Sequence, residues 1–234
     1  MVIFLPFFVA ILAAVLPALL WLFLFTREDQ HPEPTELIAY TFTLGGLMVI
    51  PTLIIQILFK SWGPESALLS LVALALLEEI FKFSGSYLAV RHNKAFDEPI
   101  DAMIYTITAA LGFATIENFF NLVKSQDVLL SLTTADALST AGLRFIGATF
   151  LHALASALVG YFWARGIIAK RHRGYLWIGI LVATAVHSIF NYLIAAFQGE
   201  SNLLYPSVFL LLVAFFVMID FEKLRGVRTF PKDG

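Results

Sequence analysis

Long apolar stretches separated by short polar segments dominate this chain. Seven of these stretches are long enough, at about 20 residues, to cross the hydrocarbon core of a bilayer as helices. We predict membrane spans at residues 2–25, 37–59, 66–90, 100–123, 141–164, 175–197 and 203–219. The pattern therefore predicts an all-α, polytopic membrane protein with about seven transmembrane helices around a central polar cavity.

The composition supports a membrane protein with one helical domain. The chain has 234 residues, of which 59% are hydrophobic and only 14% are charged, whereas soluble domains carry about 25% charged residues. This length suits a single integral membrane domain over residues 1–234. Cys is absent, which excludes disulfides, thiolate nucleophiles and Cys-ligated metals. The net charge of −2 gives no indication of a nucleic-acid partner.

Two of the predicted spans and one connection have distinctive features. The span at 2–25 lacks the basic start, the short apolar run and the cleavage site of a signal peptide, so we predict a retained helix. Gly45, Gly46 and Pro51 in the second span predict close packing or a bend. Residues 124–140 have mixed polarity and predict a short interfacial helix or a loop.

The distribution of Lys and Arg predicts the orientation in the membrane. The loop at 165–173 and the segment after the last span are the two most basic segments, and basic segments favour the cytoplasmic side. Two spans separate them, so both can be cytoplasmic. With seven spans, the C-terminus is then inside, and the N-terminus and residues 124–140 are outside.

The third span carries three charged residues in an otherwise apolar stretch. The sequence LLEEIFKF at 76–83 contains Glu78, Glu79 and Lys82. Each charge near the bilayer centre costs about 2.5–3.5 kcal/mol on insertion scales. In a helix, Lys82 lies one turn from either Glu, so one ion pair offsets part of this cost. The remaining cost requires polar partners on other helices.

The next three spans each bring a polar group to a similar depth. The fourth contains GFATIENF at 112–119, the fifth contains FLHALAS, and the sixth contains HSIFN. The resulting cluster has the following members: Glu78, Glu79, Glu117, His152 and His187, with Asn118 and Asn191 nearby. A single membrane His or Asn often only joins two helices. Three Glu and two His at one depth have no such simple explanation, because each additional polar group in the membrane adds its own free-energy cost.

The residue types in this cluster suit the activation of water. Glu117, His152 and His187 are candidate ligands for Zn²⁺, which accepts imidazole nitrogen and carboxylate oxygen. Glu78 or Glu79 is the candidate general base on the attacking water, with or without a metal. Asn191 or Asn118 is the candidate donor to an oxyanion. The sequence contains no HExxH motif, so it does not have the zincin arrangement.

Two other functional classes use similar residues. A proton-coupled transporter or channel also places Glu and His in membrane helices. In a non-enzymatic scaffold, these polar groups would only hold helices together. A transporter requires polar residues along a path through both leaflets, whereas here they cluster at one depth. The clustering favours a reaction site and predicts an enzyme.

The order of these motifs resembles a known family. EEIFK, an aspartate at the start of the next helix, GFATIEN, the fifth-span His and HSIFN resemble the PrsW family of intramembrane proteases over residues 70–195. The resemblance implies a membrane-embedded endopeptidase with a protease-like core at about 66–198. It also implies a prokaryotic cell membrane and a membrane-anchored protein substrate, such as an anti-sigma factor first cut on its extracytoplasmic side. The related CAAX prenyl endopeptidases carry a His where this chain has Glu117, so prenylated substrates are not implied.

Overall fold

All the secondary structure in the described part of the protein is helical. The computed structural model describes residues 4–62, 66–124, 135–197, 203–227 and 229–230. Eight helices lie within these ranges: α1 (Phe4–Thr26), α2 (Thr35–Leu47), α3 (Val49–Trp62), α4 (Ala67–Val90), α5 (Pro99–Lys124), α6 (Ala135–Ile168), α7 (His172–Ala196) and α8 (Leu204–Arg225). This confirms the predicted all-α class.

The helices account for the predicted membrane spans. Within the described residues, six helical segments are long and apolar enough to cross a membrane, with α2 and α3 acting as one segment. The remaining long helix, α4, has 24 residues. It differs from the six in carrying Glu78, Glu79 and Lys82. With α4, the number of spans equals the predicted seven.

The second span contains the predicted close packing and a one-residue break in the helix. The helix is interrupted at Met48, between α2 and α3. A side chain at Gly45 would overlap the carbonyl oxygen of Ala109 on α5, and one at Gly112 would overlap the carbonyl oxygen of Phe42 on α2. Glycine at these two positions therefore allows the backbones of α2 and α5 to touch.

Helix α5 forms the centre of the bundle. All of its residues from Pro99 to Thr115 are buried, and it packs against α1, α2, α4, α6 and α8. The exposed surfaces of α1, α3 and α8 are rich in large apolar residues, as expected for helices that face lipid. The position of α5 explains why polar groups on this helix can reach several neighbouring helices.

Two helix boundaries differ from the prediction by about six residues. The last helix, α8, ends at Arg225 and not at residue 219. The helix that carries His152 begins at Ala135, not at about residue 141. Hydropathy detects the apolar part of a helix, and a helix can continue beyond it because its backbone hydrogen bonds do not depend on lipid. The predicted interfacial segment at 124–140 falls, for residues 125–134, outside the described residues.

Several connections between helices meet at one end of the bundle. The contacts are those of Glu28 with Arg225, His31 with Glu98, and the backbone N–H of Phe230 with the carbonyl of Asp97. Trp163, near the end of α6, stacks on Phe96 with ring centroids 4.8 Å apart. The α1–α2 and α4–α5 connections, the end of α6 and the segment after α8 therefore share one end, which we call the connected end.

Candidate active site

The adjacent glutamates of α4 have different surroundings. The side chain of Glu79 is 0% exposed, whereas that of Glu78 is 12% exposed. Successive residues of a helix point about 100° apart. Glu79 therefore faces the interior between α4, α6 and α7, and Glu78 lies at its border.

Glu79 connects a lysine and a histidine. Its Oε1 accepts a hydrogen bond from Nζ of Lys82 at 2.6 Å and also lies 2.7 Å from Nδ1 of His187. Lys82 is as fully buried as Glu79. The predicted ion pair within α4 is therefore made by Glu79 and not by Glu78. Because a carboxylate accepts from Nδ1, the proton of a neutral His187 lies on Nδ1 and its Nε2 carries a lone pair.

Lys82 also connects the two histidines. Its Nζ lies 3.1 Å from Nδ1 of His152. The His152 and His187 rings are nearly perpendicular, with centroids 5.1 Å apart. Each imidazole is thus held at Nδ1 by the Glu79–Lys82 pair. This arrangement leaves both Nε2 atoms directed away from that pair.

The two Nε2 atoms face the other two glutamates. Nε2 of His187 is 3.5 Å from Oε2 of Glu78, and Nε2 of His152 is 3.2 Å from Oε2 of Glu117. Both of these carboxylate oxygens are buried, and neither makes a hydrogen bond. Neighbouring ligands of a tetrahedral zinc ion, at 2.0–2.1 Å from the metal, lie about 3.3 Å apart. The nitrogen–oxygen spacing within each pair is therefore close to that of neighbouring ligands on a zinc ion.

Three of the side chains form a compact group of possible metal ligands. Among the described residues, Glu78, His152 and His187 each offer a ligand atom, and these atoms lie within 4.8 Å of one another. Glu117 was predicted as the third ligand. It lies outside this group, contacts it through His152, and is the most exposed Glu or His of the cluster, at 29%. Two imidazoles and one carboxylate, without Cys, form a donor set that suits zinc and leaves a position for water.

One residue of the cluster has no counterpart in the sequence prediction. Nε2 of Gln56, on α3, donates a hydrogen bond of 2.9 Å to Oε1 of Glu78. A single Gln in an apolar span is usually a link between helices, so its type alone gave no indication of a site. Its position one helix before the glutamate pair was the only available signal. Gln56 fixes one oxygen of Glu78 and leaves the other facing His187.

The two candidate asparagines have different positions. The side-chain amide of Asn118 is buried and donates to Oγ1 of Thr149 at 2.9 Å, which links α5 to α6. Asn191 is exposed, one helical turn after His187 on the same side of α7. The amide of Asn118 is therefore used in a hydrogen bond between two helices, whereas Asn191 remains accessible beside the cluster.

Comparison with known proteins identifies the family. A model described as the PrsW family intramembrane metalloprotease matches residues 33–219. The chain belongs to this family. The matched range contains Gln56 and all the clustered Glu and His residues. This protein is therefore a multi-pass membrane protease, which is a hydrolase.

Individual PrsW proteins are similar over most of their length. Protease PrsW of Geobacillus kaustophilus (strain HTA426) is 31% identical over 193 residues, which cover 81% of this chain and 81% of that protein. Protease PrsW of Oceanobacillus iheyensis is 30% identical over 205 residues, covering 85% and 89%. Protease PrsW of Bacillus subtilis (strain 168) is 26% identical over 226 residues, covering 94% and 98%. No solved structure matches the chain significantly.

Proposed function

We propose that this protease hydrolyses a peptide bond in a membrane-anchored protein substrate, with an anti-sigma factor as the substrate class, and that it uses Zn²⁺. The spacing of Glu78, His152 and His187 supports the metal, because one ligand atom of each lies within 4.8 Å of the others and Oε2 of Glu78 makes no hydrogen bond. When bound, zinc supplies a Lewis acid that polarises a water molecule or a carbonyl group.

We assign Glu117 as the general base of the reaction. Its side chain is the most exposed of the cluster, at 29%, so a water molecule can reach the carboxylate, and its buried Oε2 makes no hydrogen bond. Glu117 takes a proton from the attacking water and returns a proton to the leaving amine nitrogen. Glu79 is inaccessible and already bonded to two groups, so we assign it a positioning role rather than that of the base.

The Glu79–Lys82 pair orients His187 in this mechanism, with Lys82 acting through Glu79. A carboxylate on the far nitrogen of a metal-binding His fixes its tautomer and ring orientation, and Glu79 has this relation to His187. Ligation through Nε2 of His152 would require its proton on Nδ1, and the ammonium of Lys82 would then bond to Glu79 alone. Asn191 is assigned to the carbonyl oxygen of the substrate, because its amide is exposed beside the cluster.

A cleavage assay tests the assigned activity. Tagged single-pass membrane proteins, including anti-sigma factors, are co-expressed with the wild type, with His187→Ala or with the control His172→Ala, which changes an exposed His at the start of α7. We expect fragments with the wild type and the control and none with His187→Ala. Cleavage that persists in His187→Ala would contradict the assignment.

We also propose that the connected end is cytoplasmic. This end carries the basic residues Arg91, Lys94, Lys170, Arg171 and Arg173, and positive charge favours the inside. Reporter fusions at Arg173 and Ser131 are then expected to report opposite sides, with Arg173 inside. The same side for both positions would exclude this topology.

The depth of the cluster predicts where the substrate is cut. Glu117 lies 16 residues after Asp101 on α5, or about 24 Å from the connected end at 1.5 Å per residue. His152 lies 16 residues before Ile168, at a similar distance. With the connected end inside, the cluster lies in the outer half of a hydrocarbon core about 30 Å thick. We expect mass spectrometry of the fragments to place the cut in the outer half of the substrate span or just outside it; a cut in the cytoplasmic third would contradict this placement.

A further inference from the structure

A second group of acidic side chains lies at the connected end, far from the catalytic cluster. Asp29 and Glu33 come from the α1–α2 connection, and Asp101 comes from the first turn of α5. Each offers a carboxylate oxygen, and these oxygens lie within 4.8 Å of one another. Sixteen residues of α5, or about 24 Å, separate Asp101 from Glu117. We call Asp29, Glu33 and Asp101 the carboxylate group.

Each member of the group uses one oxygen in a hydrogen bond to the protein. Oδ1 of Asp29 accepts from the backbone N–H of His31 at 2.9 Å. Oδ2 of Asp101 accepts from the N–H groups of Asp97 at 2.9 Å and Glu98 at 2.7 Å, as a cap of α5. Oε2 of Glu33 accepts from the hydroxyl of Tyr105. These bonds hold the three carboxylates in place and leave one oxygen of each for another partner.

The described residues provide no Lys or Arg for this group. The nearby Arg225 pairs with Glu28 and Glu222, and Arg27 lies over the ring of Phe23. His31 pairs with Glu98 at 2.9 Å. Burial raises the pKa of Asp29 and that of Glu33, and this effect outweighs the charge of His31 near Asp29 and the hydrogen bond from Tyr105 to Glu33.

The surroundings of Asp29 favour a bound cation over a proton shared within the group. Glu33 and Asp101 are close enough for a side-chain hydrogen bond, so a proton between them would satisfy that pair. Asp29 is only 7% exposed, and its Oδ2 is buried without a partner. A proton shared by Glu33 and Asp101 leaves this oxygen unsatisfied, whereas one cation can contact all three carboxylates.

We propose that Asp29, Glu33 and Asp101 bind a divalent cation that prefers oxygen ligands, of the Ca²⁺ and Mg²⁺ class. Ca²⁺ binds oxygen at 2.3–2.6 Å, so opposite ligands lie about 4.6–5.2 Å apart, and three oxygens within 4.8 Å fit around one ion. The cation fastens the α1–α2 connection to the first turn of α5. This site is separate from the nitrogen-containing catalytic cluster, and the proposal does not depend on the hydrolytic mechanism.

Cation titrations of purified full-length protein in detergent test this proposal. The protein is first depleted of metal with a chelator, and Ca²⁺ and Mg²⁺ are then added separately while heat release and Tm are recorded. We expect a saturable heat and a rise in Tm for the wild type with at least one ion. The control Glu36→Gln, which removes an exposed acid of the same segment, is expected to behave in the same way.

Two variants test whether Asp29 and Glu33 bind the cation. Asp29→Asn and Glu33→Gln each remove one proposed ligand with little change in shape and are expected to weaken binding by at least about tenfold. In the depleted protein, the Tm of Asp29→Asn should equal or exceed that of the wild type, because an uncompensated charge is gone. Absence of heat and of a Tm rise with both ions would show that the group carries protons only. Equal affinity in the wild type and in both variants would also overturn the proposal.

Discussion

Replacing His187 with Ala, or Glu117 with Gln, is expected to reduce proteolysis by about 10³-fold or more. The reason is that the loss of one residue of a catalytic unit removes most of the rate enhancement of the whole unit. His187→Ala removes a proposed ligand, and Glu117→Gln removes the proposed base while it keeps the size of the side chain. Their losses should not add in the double variant. Initial rates of substrate cleavage in proteoliposomes measure the effect.

The matched control for this prediction is His172→Ala, whose side chain is exposed. It should retain the wild-type rate. Thermal unfolding of each variant separates a chemical effect from a folding effect. A Glu117→Gln variant that folds normally and cleaves at the wild-type rate would remove Glu117 from the mechanism.

Replacing Lys82 with Met is expected to destabilise the protein by about 3–5 kcal/mol, because it leaves Glu79 charged and buried without a counterion. Both side chains are 0% exposed, and their ion pair is 2.6 Å long. The double variant Lys82→Met/Glu79→Gln should recover much of this loss, since it removes both charges. Chemical unfolding of the four proteins in detergent gives the coupling free energy.

An ion pair of the same spacing with an exposed lysine provides the control. Lys223 and Asp220 on α8 are also separated by three residues, but the Lys223 side chain is 51% exposed. Lys223→Met is expected to cost less than about 1 kcal/mol. A similar cost for Lys82→Met would mean that the Glu79–Lys82 pair does not stabilise the bundle. In that case, the positioning role of Lys82 would lose its support.

Hydropathy was sufficient to predict the helical class and the approximate number of spans, of which six are long and apolar enough among the described residues. Lipid excludes unpaired backbone groups and most charges, so the spans appear in the sequence as uninterrupted apolar stretches. Gly45, Gly46 and Pro51 also indicated the close packing and the break in the second span. The start of α6 at Ala135 was missed because hydropathy responds to lipid contact and not to backbone hydrogen bonds.

The members of the polar cluster could be predicted, but their pairing could not. Glu78, Glu117, His152 and His187 were recognised because polar groups are rare at such depth. Glu78 and Glu79 are neighbours in sequence, and only the packing of α4 against α7 shows that Glu79 contacts Nδ1 of His187. Gln56 was not recognised, because its partner on α4 is 22 residues away in sequence.

Metal analysis combined with a cleavage assay tests the central claim most directly. Purified wild-type protein is expected to contain about one zinc ion per chain and to cleave a single-pass substrate. Chelation should remove both the zinc and the cleavage, and added Zn²⁺ should restore them in the wild type but not in His187→Ala. Undiminished cleavage by protein that has lost its zinc, or equal zinc in the wild type and in His187→Ala, would contradict the account.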